Sequence, residues 1–331
     1  MRWPIGGRGG RNGSLKDEPK TETRHPGSGH GEFAATAGIT LAAALRERMP
    51  DKSWRQVREL CASGKVTVNG QRVVEPAYRL AGGEAIAMNM GKPDPRRRVE
   101  RPGFRVVFED GHLIVIEKPE GVTTVPYERK ESGTALDLIR ESWRRQGKRA
   151  TATPLYTVHR IDKDTSGLVC FAKTKLSERG LHKIFKEHLA DREYTAVAHG
   201  QVRPGRIESQ LIENRGDGLR GSGKRFGDGQ RAVTDVEVTE HLRGATLCRV
   251  RLKTGRTHQI RIHLSEQGNP LVGETVYIRD LLRRGGTPLS SERLLLHAAT
   301  LGFDHPVTGE RIHFSAPLPP DFVAMVEKLR R

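Results

Sequence analysis

The hydrophobic positions of the chain change period along its length, and the changes divide it into units. Leu41, Leu45 and Met49 recur at helical spacing after Thr40, whose side chain can cap a helix, and Pro50 closes the run. Ser53 then precedes WRQVRELCASG, where Trp54, Val57 and Cys61 fall on one face, Arg55 and Arg58 fall off it, and Gly64 ends the helix. Val66 and Val68 alternate with polar residues up to Asn69-Gly70, and Val73-Val74 follow. Asn-Gly between β-rich segments predicts a hairpin, because both central turn positions need positive φ. Residues 38–89 therefore read as a small unit of two helices and a hairpin.

From Phe104 the texture changes. Residues 104–108 and 112–116 read as strands around Glu109-Asp110-Gly111, and Lys118-Pro119 stops the second. Helices are expected from Thr134 to Arg144 and over Leu176–Phe185, with strands over 194–199, 233–241 and 245–252. Strands dominate without a strict βα rhythm. That predicts an α+β domain over 104–331, built on a mixed, largely antiparallel sheet. Within it, TVHRIDKDTSGLVCFAKT (157–174) passes from a polar loop into a core strand at Leu168–Phe171. The segment VRLKTGRTHQIRIHL (250–264) has two readings. A helix capped by Thr257 and ended by Gly268 would stack Ile260 on Leu264 and place Arg261 one turn from His258; a strand would align Gln259, Arg261 and His263. Punctuation at both ends favours the helix. The stretch NRGDGLRGSGKRFGDGQR (214–231) has too many glycines to pack a core and reads as an exposed loop.

Composition adds a partner class. Lys and Arg number 57 against 40 Asp and Glu, a formal charge of +17, so the field is strongly positive and a polyanion is the expected partner. Charge alone does not separate RNA from DNA or from an anionic membrane. No apolar run approaches transmembrane length, which argues against a membrane protein. Residues 1–37 read as a disordered basic tail without a signal-peptide core, and the Pro-rich, basic stretch 90–103 as a semi-rigid linker. Cys61, Cys170 and Cys248 lie far apart in apolar contexts, as expected of buried thiols in a reducing compartment, the cytoplasm. His258 and His263 have no acidic or thiol partner at close spacing, so no metal site is expected.

Asp162 stands among Arg160, Lys163 and Asp164, with Arg256 and Arg261 available from afar. That company suits a nucleophile or an electrostatic group better than a general acid, although on the residues alone a structural Asp–Arg ion pair explains the pattern better than either. The side chains of Asp164 and Thr165 can fix a local turn. Ser166 lacks the G-x-S-x-G elbow of a hydrolase nucleophile.

Family resemblance separates these alternatives. His159-Arg160-Ile161-Asp162-Lys163-Asp164-Thr165-Ser166-Gly167 resembles the H-R-L-D-x-x-T-S-G signature of the RluA-type pseudouridine synthases, with Ile for Leu. Lys118-Pro119-Glu120-Gly121 resembles that family's K-P-x-G, Arg192-Glu193-Tyr194 the segment bearing its active-site tyrosine, and Gly255–His263 its second long signature. Gly309-Glu310 and Phe314–Pro319 fit its C-terminal ending. Upstream, Gly64-Lys65-Val66-Thr67-Val68-Asn69-Gly70 and Gly82–Ile86 resemble the S4 RNA-binding domain. The chain departs from the pattern at Gly273-Glu274-Thr275-Val276-Tyr277, where relatives carry G-D-x-x-Y, and at Gly229–Thr234, in place of G-K-x-A-x-T. Altered local geometry, with activity kept, is the expectation there.

The resemblance implies isomerisation of uridine to its C-glycoside in structured RNA, without metal or cofactor. It makes Asp162 the essential aspartate and Tyr194 the residue that stacks on the base and assists proton removal at C5. Arg261 would orient Asp162, Arg256 would bind phosphate, and Ile260 would line the base pocket. Arg160, with His159 beside it, would fill the gap left by the flipped uridine, a flip that costs a few kcal/mol of unstacking. Arg55, Arg58 and Lys65 of the S4-like unit would contact phosphates. Large-subunit (23S) ribosomal RNA or its assembly intermediate is the expected substrate, bound by a monomer; transfer RNA and a non-catalytic RNA-binding role are the alternatives.

Overall fold

Thr40 and Ser53 open the N-terminal helices as their chemistry predicts. Thr40 Oγ1 accepts the Ala43 N–H at 3.1 Å ahead of α1 (Leu41–Arg48), and Ser53 forms a reciprocal capping box with Gln56 ahead of α2 (Trp54–Ala62). The computed structural model describes residues 33–88, 104–126, 132–147, 153–216, 218–223 and 227–331. It sets both helices on a sheet of β1 (Phe33–Ala34), β2 (Val66–Val68), β3 (Gln71–Arg72) and β4 (Ala85–Met88), in the order β1-β4-β2-β3. Asn69 and Gly70, at φ 49° and 77°, make the expected turn between β2 and β3. Leu41, Leu45, Val57, Cys61, Val66 and Ile86 fill the space between the layers.

Two expectations for this unit are corrected. The sheet begins at Phe33, which pairs with Ile86, inside the stretch read as a tail. Residues 1–32 and the linker over 90–103 lie outside the described residues. Trp54 does not join the Val57–Cys61 face but stands 50% exposed. It is the first residue of α2, and a helical side chain leans back over the preceding turn, which here is not helix.

The larger domain is one mixed sheet. Its strands are β5 (Arg105–Glu109), β6 (Leu113–Lys118), β7 (Tyr156–Thr157), β8 (Ser166–Ala172), β9 (Asp191–His199), β10 (Gly205–Ile212), β11 (Gly221–Ser222), β12 (Gln230–Leu242), β13 (Ala245–Leu252), β14 (Leu296–Asp304) and β15 (Arg311–Ser315). The order runs β11-β10-β12-β13-β9-β14-β8-β6-β5, with β15 added to β14 and β7 to β8. Only β8 and β14 run parallel, so the sheet is largely antiparallel as expected. Helices α3 (Ala135–Arg145), α4 (Lys175–Lys186), α5 (Gln259–Glu266), α6 (Arg279–Arg283) and α7 (Pro320–Arg330) complete the domain.

Strand β8 shows why the sheet is rigid near the site. Val169 and Phe171 turn to one face, into a core with Ile139 and Trp143 of α3 and Leu264 of α5. Leu168 and Cys170 turn to the other, against Leu181 and Phe185 of α4 and Phe303 of β14. Burial of Phe171 alone contributes about 2–3 kcal/mol. The glycine-rich segment is more ordered than a plain loop. Its β11 pairs with β10, and Leu219 packs beside Leu211, Ile262 and Tyr277, because a two-residue strand needs no core-forming run. Asp217 and residues 224–226 lie outside the described residues. The two domains meet where the Arg79 N–H donates to the Thr275 carbonyl at 2.7 Å and Ala77 packs by Val276 and Tyr277.

Candidate active site

Asp162 sits on a loop whose backbone is fixed on both sides. Before it, Thr124 Oγ1 donates to the Ile161 carbonyl at 2.8 Å and accepts the Ile161 N–H at 3.3 Å. After it, the Lys163 carbonyl accepts from Lys118 Nζ at 3.0 Å and from the Gly121 N–H at 2.9 Å. Lys118, the last residue of β6, is fully buried, and its other two bonds go to the carbonyls of Pro119 (2.9 Å) and Val122 (2.6 Å). Burial pushes its ammonium down to about 7, opposed by the charges of Asp164 and Asp162. Three carbonyl acceptors suit three ammonium protons, which favours the charged form further. The K-P-x-G stretch is thus the clamp for the Asp162 loop.

The turn after Asp162 closes through the backbone. The Thr165 N–H donates to the Asp162 carbonyl at 3.1 Å, while Thr165 Oγ1 is buried without a partner, so the side-chain-fixed turn expected at Asp164-Thr165 is replaced by a main-chain one. Ser166 Oγ accepts from Arg293 Nη2 at 2.6 Å and bonds His297 Nδ1 at 2.8 Å, a structural position. Gly167, at φ 113°, lets β8 lie against β14; a Cβ there would overlap the Ala298 carbonyl.

The loop faces a cleft of 470 Å³ lined by Asp162, Tyr194 and Ile260 together with Arg160, Lys186, Arg192 and Arg256. Asp162 is the single carboxylate among the lining residues. Among the described residues its side chain makes no hydrogen bond and no ion pair within 4 Å, so it is available to a ligand. Tyr194 projects from β9, buried, between the strands β13 and β14. Burial pushes its hydroxyl up to about 12, with Arg192 opposing and Asp162 adding to the rise. The phenol therefore stays protonated at neutral pH, which suits stacking on a base better than removing a proton.

Arg261 is buried on α5, but its fork closes on Glu274: Nε to Oε2 and Nη2 to Oε1, both at 2.7 Å. Nη1 reaches Asp164 at 3.8 Å, and Asp162 lies beyond ion-pair distance. Glu274 in turn accepts the N–H groups of Thr275, Val276 and Tyr277 at 2.8–3.2 Å. The guanidinium and these amides hold the Glu274 carboxyl below the usual range despite complete burial. The departure from G-D-x-x-Y is thus the group that holds Arg261. Helix α5 starts one residue later than a Thr257 cap implies: its N-cap is His258, in the left-handed region at φ 57° with no side-chain cap. Gln259 does the joining instead, accepting the Arg256 N–H (3.0 Å) and the Thr254 hydroxyl (2.7 Å) while donating to the Val233 carbonyl and Thr234 Oγ1. His258 Nδ1 bonds the Tyr277 hydroxyl at 2.8 Å.

The other expected RNA contacts separate into exposed and engaged groups. Arg160 is exposed at the cleft. His159 stacks on Phe185 with ring centroids 4.2 Å apart, and its Nε2 accepts the Cys170 N–H at 2.9 Å. Burial and then Arg192 hold it at about 3, so the ring is a neutral prop for β8. Arg256 Nε donates to the Arg231 carbonyl at 3.0 Å. On the S4-like unit Arg55 pairs with Glu59, Arg58 is exposed beside Trp54, and Lys65 is half-buried. Sequence reasoning missed the roles of Lys118, Gln259 and Glu274, whose partners lie across the fold, and it gave Arg192 none.

Comparison with known proteins gives the same picture. A family model described as RNA pseudouridylate synthase matches residues 112–266, and the S4 domain model matches residues 40–86. The ribosomal large subunit pseudouridine synthase D of Vibrio parahaemolyticus is 36% identical, covering 89% of this chain and 92% of the relative. An RNA pseudouridine synthase of Bacillus subtilis, YlyB, is 35% identical over 85% and 91% of the two chains. The solved structure of human RNA pseudouridylate synthase domain containing 1 superposes with a TM-score of 0.54 at 23% identity, covering 69% of this chain and 87% of the human one, a likeness of fold. With an S4 domain in front of a catalytic domain that carries the signature aspartate, tyrosine and arginine in family order, the chain belongs to the RluA-type RNA pseudouridylate synthases.

Proposed function

We propose that the protein converts uridine to pseudouridine in large-subunit ribosomal RNA, with Asp162 as the essential group. The observation that carries this reading is a lone carboxylate, free of protein partners on a loop clamped from both sides, in a cleft otherwise lined by four Lys and Arg side chains. Such a cleft attracts an RNA backbone and leaves one negative charge to meet the sugar of a flipped nucleotide. Asp162 then acts at the glycosidic carbon C1′, either by attack or by promoting cleavage, and the C1′–N1 bond breaks. The freed uracil turns and C5 bonds to C1′, releasing Asp162 where it had attacked. C5 then gives up its proton and N1 takes one up. Tyr194 and Ile260 form the walls against which the ring turns. Arg261, held by Glu274, supplies fixed positive charge beside the loop. Arg160 at the mouth takes the place of the flipped base.

Large-subunit RNA is favoured over transfer RNA because relatives matching nearly the whole chain carry that substrate in their names. The S4 unit supplies phosphate contacts through Arg58, Arg55 and Lys65. Three free, buried cysteines suit the cytoplasm. The test is pseudouridine formation by the purified protein on unmodified large-subunit RNA, with Asp162→Asn as the control.

A further inference from the structure

Among the described residues, Arg192 is the cation of the cleft lining whose guanidinium carries a buried, unpartnered nitrogen. It lies two residues before Tyr194 on β9, so both side chains leave the same face of the strand, and both line the cleft with Asp162. Its Nε is buried without a hydrogen-bond partner, and among the described residues its guanidinium has no carboxylate within 4 Å. Glu193, the adjacent acid, points the other way and pairs with Arg249 and Arg251. Arg192 is half-buried with its Nε shut off from water, and a guanidinium held so without an anion is costly unless a ligand supplies one.

The surroundings are shaped for that anion. Gly255 leaves room for the Arg192 guanidinium, since a Cβ at that position would overlap Nη1. Arg256 follows Gly255, and His188 lies within the field of Arg192, Arg256 and Arg231, which together with burial hold its imidazole below the ordinary range. Arg192 and Arg256 line one wall of the cleft, while the Arg231 guanidinium beyond it is taken up by Glu208 at 2.7 Å. Two guanidiniums on one wall repel one another in the free protein and are relieved by a doubly or singly charged oxyanion.

We propose that Arg192, with Arg256 beside it, forms a subsite for the backbone phosphate next to the flipped uridine. The absence of a Cβ at Gly255 leaves this guanidinium its position beside the cleft. The inference rests on the uridine-isomerase reading for the identity of the nucleotide. Arg192 acts as a binding residue: it seats the phosphate so that the sugar of the same nucleotide faces Asp162 and the base faces Tyr194.

The test compares binding of uridine 3′,5′-bisphosphate and of uridine to the full-length protein by calorimetry at low salt. The wild type is expected to prefer the bisphosphate by about ten-fold or more, the size of one charge-assisted pair. Arg192→Gln should lose most of that preference with uridine affinity unchanged, and Arg192→Lys should keep part of it. Gly255→Ala keeps the charge but pushes the guanidinium aside, and should also weaken the bisphosphate. It guards against misreading an Arg192 variant that is poorly folded. An equal preference in wild type and Arg192→Gln, or no binding of the bisphosphate to the wild type, overturns the proposal. Failure of the isomerase reading would show separately, as a wild type that forms no pseudouridine while the Arg192-dependent preference remains.

Discussion

Arg261 and Glu274 form a two-bond fork with both contacts at 2.7 Å, and each side chain is almost completely removed from solvent. The pair fixes a positive charge beside the Asp162 loop without using Asp162 itself. Glu274→Gln removes the anion and leaves a buried guanidinium uncompensated, a change that costs about 3–5 kcal/mol. Urea unfolding should register that loss. Glu274→Asp, which restores the residue usual in relatives, should lose much less, since the backbone N–H groups of residues 275–277 still reach a carboxylate. Equal stability of Glu274→Gln and wild type would contradict the clamp.

Lys118 ties the Asp162 loop, at the Lys163 carbonyl, to the carbonyls of Pro119 and Val122. Lys118→Met keeps the volume and removes the donors, so the Lys163 carbonyl loses one of its two partners. Turnover should fall by about ten-fold or more while RNA affinity changes little, because the mispositioned group is Asp162 and the phosphate contacts are elsewhere. Single-turnover rates and filter binding on the same RNA separate the two. A loss confined to affinity would show that the loop is set by something else.

Acid should destabilise the protein through its buried histidines. Burial holds His263 and His297 at about 4 and His159 at about 3, against an ordinary value of 6.5. Above pH 6.5 each ring is neutral whether folded or unfolded, and the contribution is flat. As pH falls below that value the unfolded chain takes up protons that the native protein refuses. Stability then drops by up to about 1.4 kcal/mol per pH unit for each ring, and the drop ends only as pH passes the folded values. Urea midpoints at pH 7.5, 6.0 and 5.0 should fall in that order. A midpoint unchanged between pH 7.5 and 5.0 would rule out neutral burial of these rings.

The S4 unit presents Trp54 and Arg58 together on the exposed side of α2. Arg58→Ala should weaken RNA binding and flatten its salt dependence by about 0.7–0.9 in logarithmic slope, the signature of one lost phosphate contact. Trp54→Ala should weaken binding by about 1–3 kcal/mol with the slope unchanged, as expected of a lost stacked base. Affinity titrations across a salt series read both, and slopes that change together would contradict the division.

Local chemistry was the legible part of this chain. Thr40, Ser53 and Thr134 cap helices because a hydroxyl and an amide three residues on need nothing else from the fold. The Asn69-Gly70 turn and the apolar run of β8 were readable for the same reason. Asp162 and Tyr194 came from motif resemblance, and the fold brings them to one cleft. What escaped depends on distant partners. Nothing near Lys118 in sequence announces a carbonyl at residue 163, and the anion for Arg261 stands beyond the end of its helix. Trp54 was misplaced although the Ser53 cap marks the helix start, because periodicity assigns a face without regard to the missing turn behind the first residue. Strand β14 went unread because LHAATLGFD is a strand by virtue of pairing with β9, β8 and β15, all brought from elsewhere in the chain.

The central claim is that Asp162 performs uridine isomerisation, and a chemical pseudouridine map tests it most directly. Unmodified large-subunit ribosomal RNA is incubated with wild-type protein or with Asp162→Asn, and every converted uridine is located. A small, discrete set of conversions is expected with the wild type and none with Asp162→Asn, whose RNA affinity stays within about three-fold because the phosphate-binding cations are untouched. Conversion by Asp162→Asn at the wild-type rate, or no conversion by the wild type in ribosomal or transfer RNA, would contradict it.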